Sequence, residues 1–171
     1  MTSFSAPPPM CISTGKTYSA TVNTDVGTFT VALDAKSAPK TVNNFVFLAR
    51  EHFYDGLTFH RVIPGFVVQG GDPQGNGSGG PGYKFADELP KAGAYKVGSL
   101  AMANSGPNTN GSQFFVITGQ QGVSLQPQYS LFGQVTDGLT VAQAINRLGT
   151  NDEQGRPTAV VKITSITIAE S

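Results

Sequence analysis

Residues Phe59–Asp72 read F-H-R-V-I-P-G-F-V-V-Q-G-G-D, a run that places one arginine, Arg61, among apolar residues without an acidic neighbour. A guanidinium keeps its proton and carries a fork of N–H donors, so on an apolar strand it needs acceptors to offset its desolvation. Either the fold or a ligand must supply those acceptors.

The composition favours one compact domain and excludes several kinds of site. The chain has 171 residues, 39% hydrophobic and 13% charged, and a chain of this length buries roughly two-thirds of its unfolded surface. Eleven basic residues balance eleven acidic ones without a basic run, so we expect no nucleic-acid partner. The single Cys11 has no partner for an internal disulfide, and two histidines without a Cys or carboxylate cluster predict no metal site.

The ends of the chain predict a soluble protein with an extended N-terminal segment. No apolar run approaches the length of about 20 residues that is needed to cross a bilayer, and Met1–Met10 lacks the pattern of a secretory signal. We therefore expect a cytoplasmic protein; the alternative is an extracytoplasmic domain of a longer, anchored precursor. The sequence T-S-F-S-A-P-P-P at Thr2–Pro9 indicates an extended lead segment over residues 1–16, either a tail or a linker stub, before a domain over residues 17–171.

Hydrophobic periodicity predicts a β-hairpin and two helices. Apolar and polar residues alternate along Tyr18–Leu33, as in a hairpin with one buried face. Ser37 is the expected N-cap of a helix over about Ala38–Arg50, with proline in its first turn. A second helix is expected around Val141–Leu148, ended by Gly149.

The rest of the chain is typical of an all-β sandwich or barrel. The closing alternation changes phase at Thr164–Ser165, as a β-bulge requires. Short apolar runs lie between segments rich in Gly, Pro, Asn and Ser, a spacing that indicates many short strands. These runs are Phe59–Ile63, Phe66–Gln69, Val97–Met102, Phe114–Ile117 and Leu131–Val135.

Two patterns in the first half of the chain favour structural roles. Gly75–Gly80 matches G-x-G-x-x-G, but Pro81-Gly82 follows and cannot open a phosphate-binding helix, so we expect a turn-rich loop. His60 precedes Arg61 on a predicted strand, where adjacent side chains face opposite sides, so His60 is expected to be structural.

Other catalytic patterns are weak or absent. No serine lies in a G-x-S-x-G turn, which disfavours covalent hydrolysis. The carboxylates Asp72, Asp87 and Glu88 stand among prolines and glycines, which indicates loop capping and not a paired acid and base.

A second dense block covers Met102–Val116 and reads M-A-N-S-G-P-N-T-N-G-S-Q-F-F-V. Its polar half offers both hydrogen-bond donors and acceptors, and by itself it would most often indicate a turn. Phe114 and Phe115 must point to opposite faces of the following strand, so one is expected in the core and the other can line a groove.

Together, the two blocks resemble the signatures of the cyclophilin family of peptidyl-prolyl cis-trans isomerases. The similarity extends over about Tyr18–Ile168 and includes T-V-N-N-F at Thr41–Phe45 and G-G-P-G-Y at Gly79–Tyr83. It implies a mainly β fold: a closed eight-stranded antiparallel β-barrel capped by two α-helices, with the substrate groove on the outside. It also implies an enzyme without a cofactor that isomerises X-Pro bonds in peptides and unfolded proteins and so assists folding. The balanced charge and the absence of a heptad pattern give no reason to expect more than a monomer.

The resemblance also assigns site residues. Arg61 is implied as the catalytic side chain. Many relatives carry methionine at Val67, a tryptophan within Gly122–Leu125 and histidine at Tyr129, whereas this chain has no tryptophan. In this family that tryptophan contacts the drug cyclosporin, so cyclosporin binding is expected to be possible but weakened. The implied substrate-binding residues are Phe66, Val67, Gln69, Ala103, Asn104, Gly106, Thr109, Gln113, Phe115, Leu125 and Tyr129.

Two other functions remain as alternatives at this point. A proline-peptide binding module or holdase would keep the groove but have little turnover. A nucleotide-dependent enzyme would have to use Gly75–Gly80. Arg61 favours the isomerase, because binding alone does not require a donor directed at the prolyl nitrogen.

Overall fold

The N-terminal alternation forms a hairpin whose inward face is buried. The computed structural model describes residues 3–171, and its first two strands are β1 (Tyr18–Thr24) and β2 (Gly27–Leu33). Their register pairs Tyr18 with Leu33 and Thr24 with Gly27, which confirms the predicted hairpin.

Eight antiparallel strands form one sheet in the order β3-β4-β6-β5-β7-β2-β1-β8. Helix α1 (Pro39–Arg50) follows the hairpin, α2 (Gln120–Val123) is a single turn after β6, and α3 (Leu139–Asn146) precedes β8. The remaining strands are β3 (Arg61–Ile63), β4 (Val67–Gly70), β5 (Ser99–Met102), β6 (Phe114–Ile117), β7 (Leu131–Asp137) and β8 (Ile163–Glu170).

The expectation of a closed barrel with two helices is wrong in two respects. Among residues 3–171, β3 and β8 form no ladder; a single bridge between Thr58 and Lys162 joins the two ends of the sheet. The reason is that the edge of β3 is occupied, since the amide of Val62 donates to the carbonyl of Gly155 at 2.7 Å. The helix that was not predicted, α2, has only four residues and is too short to show an apolar stripe in the sequence.

Helix α1 is capped by a distant carboxylate and not by Ser37. The N-cap position is Ala38, which makes no side-chain cap, and Pro39 follows it. The Glu88 carboxylate accepts the backbone N–H of Thr41 at 2.7 Å and that of Lys40 at 3.2 Å. A negative charge at a helix N-terminus also interacts favourably with the helix dipole.

The C-terminal elements follow the prediction closely. The register of β8 against β1 shifts between Asn23 and Thr24, opposite Ser165 and Ile163, so the predicted bulge is confirmed. Helix α3 ends at Asn146, before the predicted end at Gly149. The Asn146 side chain turns back to the β3–β4 connection, where it accepts from the amide of Gly65 and donates to the carbonyl of Ile63.

The two faces of the sheet carry separate apolar clusters. The main core packs aromatic rings from α1 and the strands; Phe45, for example, lies 5.5 Å from Phe114 and 5.3 Å from Phe132, centroid to centroid. Because side chains alternate along a strand, Phe115 points the other way. There it joins what we call the outer cluster, whose buried members are Val67, Tyr95, Ala101, Phe115 and Ile117.

The described part of the lead segment, residues 3–16, lies against α1; the first two residues of the predicted segment fall outside the described residues. The Phe4 ring contacts Phe47 edge to face at 5.0 Å. The amides of Cys11 and Ile12 both donate to the side-chain oxygen of Asn43. In residues 3–171, no helix has the length and apolar character that a bilayer crossing requires.

Candidate functional site

The strand register brings three predicted site residues into one row on the outer face of the sheet. Arg61 on β3 pairs with Gln69 on β4, and Gln69 pairs with Phe115 on β6. Directly cross-strand residues share a face and lie about 5 Å apart. Val67, two positions before Gln69, faces the same side and pairs with Ile117.

Arg61 is held in place without being neutralised. Its Nη1 donates to Gln69 Oε1 at 3.2 Å, and its guanidinium carbon lies 5.7 Å from the centre of the Phe66 ring. Within residues 3–171 it forms no salt bridge. The missing side chain of Gly155 leaves space for the Arg61 stem, since a Cβ there would lie 2.8 Å from Arg61 Cγ. Because Arg61 donates to Gln69 through Nη1 and has no ion-pair partner among the described residues, most of its guanidinium donors stay available to a ligand.

A chain of side-chain amides connects Arg61 to the glycine-rich loop. Gln69 Nε2 donates to Gln113 Oε1 at 3.1 Å. Gln113 Nε2 in turn donates to the carbonyl oxygens of Gly77 and Gly79, at 3.0 and 2.8 Å. Because each amide is oriented by its neighbour, Gln69 presents its oxygen to the arginine in a defined direction.

Asp72 holds the same loop from the other side. Its carboxylate accepts backbone N–H groups from Gln74 at 2.8 Å and Asn76 at 3.0 Å, and another from Gly77. Burial opposes ionisation, but these hydrogen bonds together outweigh it and lower the pKa of Asp72. Gly75–Gly80 is thus an anchored turn, in agreement with the predicted turn-rich loop.

A cavity of about 380 Å³ lies over this row, and we call it the proline cavity because the family resemblance predicts that its residues hold the substrate proline. Its floor is apolar: the rings of Phe115 and Tyr129 meet edge to face at 5.5 Å, and Val67 is buried beside them. The predicted residues that line it are Arg61, Phe66, Val67, Gln69, Ala103, Asn104, Phe115, Leu125 and Tyr129.

A second cavity, of about 490 Å³, adjoins the first and shares Gln69, Gly77, Ala103 and Asn104 with it. Thr109 and Gln113 line this second cavity. Gly106 lines neither. It belongs to the turn that follows Asn104, where the Gly106 amide donates to Asn104 Oδ1 at 3.1 Å.

The segment carrying Leu125 and Tyr129 is fixed by a residue that the sequence analysis missed. The Tyr95 hydroxyl donates to the carbonyl of Tyr129 at 2.6 Å and accepts its amide at 3.2 Å. Burial raises the pKa of Tyr95. Asn104 adds a further bond from its Nδ2 to the carbonyl of Gln128 at 2.9 Å. A single tyrosine between turns carries no sequence signal for this role.

His60 also lines the proline cavity, together with Asn76, Gly77 and Gln154. The alternation argument does not apply to His60, because β3 begins only at Arg61. Neither ring nitrogen of His60 has a hydrogen-bond partner among the described residues. Burial lowers the pKa of His60 more than the nearby Asp72 raises it.

No group of three His, Cys, Asp or Glu side chains in residues 3–171 is arranged to hold a metal ion. The site thus consists of one cation, several amides and an apolar floor. Such a set can bind a neutral ligand with carbonyl groups, orient it and donate a hydrogen bond to it without any change of protonation.

Known proteins are similar to this chain over most of its length. The family model for cyclophilin type peptidyl-prolyl cis-trans isomerase/CLD matches residues 19–168. Peptidyl-prolyl cis-trans isomerase A of Mycobacterium tuberculosis is 47% identical, over 90% of this chain and 93% of the relative. The human peptidyl-prolyl cis-trans isomerase-like 3 is 44% identical, over 88% of this chain and 95% of the relative.

Solved structures agree with the sequence relatives. A cyclophilin type peptidyl-prolyl cis-trans isomerase of Cryptosporidium parvum superposes with a TM-score of 0.82 at 33% identity, covering 90% of this chain and 98% of that one. A second structure of that protein, determined in the presence of the dipeptide Ala-Pro, gives a TM-score of 0.81 at the same identity, covering 88% of this chain and 98% of that one. The family match, the relatives and the shared fold lead to one conclusion: this chain belongs to the cyclophilin-type peptidyl-prolyl cis-trans isomerase family.

Proposed function

We propose that the proline cavity binds the proline of an X-Pro segment in peptides and unfolded proteins, and that Arg61 catalyses rotation about the X-Pro bond. The observation that carries this proposal is the state of Arg61. It is oriented by Gln69, has no acidic partner in residues 3–171, and borders a cavity with an apolar floor. By speeding slow isomerisation steps, this activity would assist protein folding.

The chemistry requires no bond to break. Amide resonance keeps the X-Pro bond planar, with a barrier of about 18–20 kcal/mol and uncatalysed times of tens to hundreds of seconds. At the twisted transition state the prolyl nitrogen regains its lone pair. A donor directed at that nitrogen binds the twisted form better than either planar form, and this difference lowers the barrier. Arg61 is such a donor, because it stays protonated throughout.

The arginine supplies only part of the rate enhancement. A charge-assisted hydrogen bond contributes about 1.5–3 kcal/mol, which corresponds to roughly one to two decades of rate. The remainder must come from holding one side of the bond still. Phe66, Val67 and Phe115 would grip the pyrrolidine ring while Gln69 and Asn104 hold the flanking backbone.

Replacement of Arg61 tests the proposal. We expect Arg61→Ala to lower kcat/KM about 10- to 100-fold, the value of one charge-assisted hydrogen bond, with the fold intact. Arg61→Lys should recover only part of the loss, because an ammonium lacks the planar fork. The measurement is catalysed cis-trans exchange of an Ala-Pro peptide by NMR.

The control for this experiment is Arg50→Ala, which removes another arginine that lies at the exposed end of α1. It should leave kcat/KM unchanged. A wild-type rate in Arg61→Ala would refute the catalytic role. If the wild-type protein binds the peptide but does not accelerate exchange, the chain is a proline-binding module.

Two further properties belong to the proposal. Cyclosporin should bind only weakly, because the chain has no tryptophan and the wall of the proline cavity is completed by Leu125 and Tyr129; a calorimetric titration measures the affinity. The protein should be monomeric, since it shows no heptad pattern that would favour a coiled-coil assembly. Sedimentation velocity would show an assembly if one forms.

A further inference from the structure

The lead segment touches the wall of the second cavity through its first described residues. The amide of Phe4 donates to the carbonyl of Pro81 at 2.7 Å. The Phe4 ring, half-buried, packs on α1 and the turn after it, at 5.0 Å from Phe47 and 6.4 Å from Phe53. A backbone hydrogen bond therefore connects the lead segment to the loop at Pro81.

The loop is shaped to receive this segment. Gly82 has a φ of +101°, and a Cβ at this position would meet the carbonyl oxygen of Phe4. A side chain would thus be strained and would also push the lead segment away. The absence of a side chain at Gly82 is what allows the two backbones to approach.

The same loop forms one wall of the second cavity, and we call Pro81–Tyr83 the rim. Its far end is held independently, because the Tyr83 hydroxyl donates to the side-chain oxygen of Asn44 on α1. The near end of the rim, Pro81, is held by the backbone amide of Phe4. The position of this wall therefore depends on α1 at one end and on the lead segment at the other.

The lead segment is itself fixed at its second end. Asn43 on α1 accepts the amides of Cys11 and Ile12 at 2.8 and 3.2 Å and donates to the carbonyl of Pro9 at 3.0 Å. Between Phe4 and Cys11 lie three prolines, whose ring-locked φ angles make Pro7–Pro9 stiff. The segment precedes residues 19–168, the range that the family model matches.

A peptide longer than the proline cavity can extend past the rim. The two cavities share Gln69, Gly77, Ala103 and Asn104, so the second cavity is open to residues that flank a bound proline. We propose that the lead segment is a positioning element for the rim, and that through the rim it strengthens the binding of substrate residues that flank the proline. The inference rests on the proposed function of the proline cavity.

The test compares two peptides with the same Ala-Pro centre: a capped peptide short enough to fill the proline cavity alone, and an octapeptide. We expect Phe4→Ala to raise KM for the octapeptide about three- to tenfold at unchanged kcat, the signature of lost uniform binding. The short peptide should be unaffected. Met10→Ala, an exposed change in the same segment, should alter neither value.

Asn43→Ala, which loosens the other anchor of the segment, provides a second variant if Phe4→Ala folds poorly. It should change the octapeptide KM in the same direction. Because the readout is a ratio between two peptides on one protein sample, a smaller folded fraction does not move it.

An unchanged octapeptide-to-short-peptide ratio in both variants would overturn the inference, and so would an equal loss for both peptides. Failure of the wild-type protein to isomerise either peptide would instead refute the proposed function. In that case the dissociation constants of the two peptides, measured by NMR titration on the same variants, decide the role of the lead segment.

Discussion

Phe114 and Phe115 are neighbours in β6 that serve different parts of the molecule. Phe114 lies in the main core, at 5.4 to 6.3 Å from the rings of Phe45, Tyr54 and Phe59. Phe115 belongs to the outer cluster and lies on the floor of the proline cavity. Strand alternation alone separates a residue that stabilises the fold from one that shapes the site.

Alanine at these two positions should separate stability from activity. Phe114→Ala should lower the free energy of unfolding by about 3–5 kcal/mol, the cost of a large cavity in a packed core. The protein that remains folded should keep its KM. Phe115→Ala should raise KM for an Ala-Pro peptide, because the pyrrolidine ring loses its floor.

Urea denaturation and NMR exchange measured on both variants test this separation, with the wild-type protein as the reference. An increase in KM for Phe114→Ala as large as that for Phe115→Ala would contradict the assignment of the two faces.

The loops that carry the site are held by partners far away in the chain. Glu88 caps α1 from 47 residues away. Asn146 at the end of α3 bonds the β3–β4 connection that follows Arg61. Gly155 covers the open edge of β3. Each contact ties a short element to a neighbour, so short strands can still hold a defined site.

Removing the carboxylate that caps α1 should destabilise the protein without touching the site. Glu88→Ala should lower the free energy of unfolding by about 0.5–2 kcal/mol, the usual cost of losing an N-terminal cap. Glu153→Ala, an exposed change in another loop, serves as the matched control. Thermal unfolding of both variants, with kcat/KM as a second readout, tests the cap.

Equal melting temperatures for the Glu88 and Glu153 variants would show that the cap contributes nothing. A large loss of kcat/KM in Glu88→Ala would instead show that α1 communicates with the proline cavity.

The free energy of unfolding should fall on acidification. Burial lowers the pKa of His60 below its ordinary value of 6.5, so below that pH the unfolded chain binds a proton that the folded chain resists. The free energy of unfolding is therefore unaffected by the titration of His60 above pH 6.5, and it decreases as the pH falls below this value. The lowered pKa of Asp72 adds a second loss at more acidic pH, where its carboxylate becomes protonated.

Urea denaturation between pH 7 and pH 5 measures this dependence. His60→Gln should flatten the slope of unfolding free energy against pH in this interval, whereas His52→Gln, at an exposed position, should leave it in place. An equal slope in the wild-type protein and in His60→Gln would rule out His60 as the source.

The hairpin, the first helix and the phase change within β8 were predictable because they depend on residues near each other in the chain. Alternation places Tyr18–Leu33 in a hairpin, and helical spacing predicts α1 to within a residue of its observed start. The family motifs also predict the residues around the proline cavity, since the chemistry of Arg61, Gln69 and Phe115 depends on their types and spacing.

Local patterns and motifs are therefore enough to predict the strands, the two main helices and the residues around Arg61. Three features depend on how distant segments come together: the sheet stays open between β3 and β8, Glu88 and not Ser37 caps α1, and His60 lines the cavity. The difference lies in the range of the contacts. Periodicity reports which face of an element is buried, whereas edge coverage, distant caps and cavity walls depend on contacts between segments that the sequence does not place next to each other.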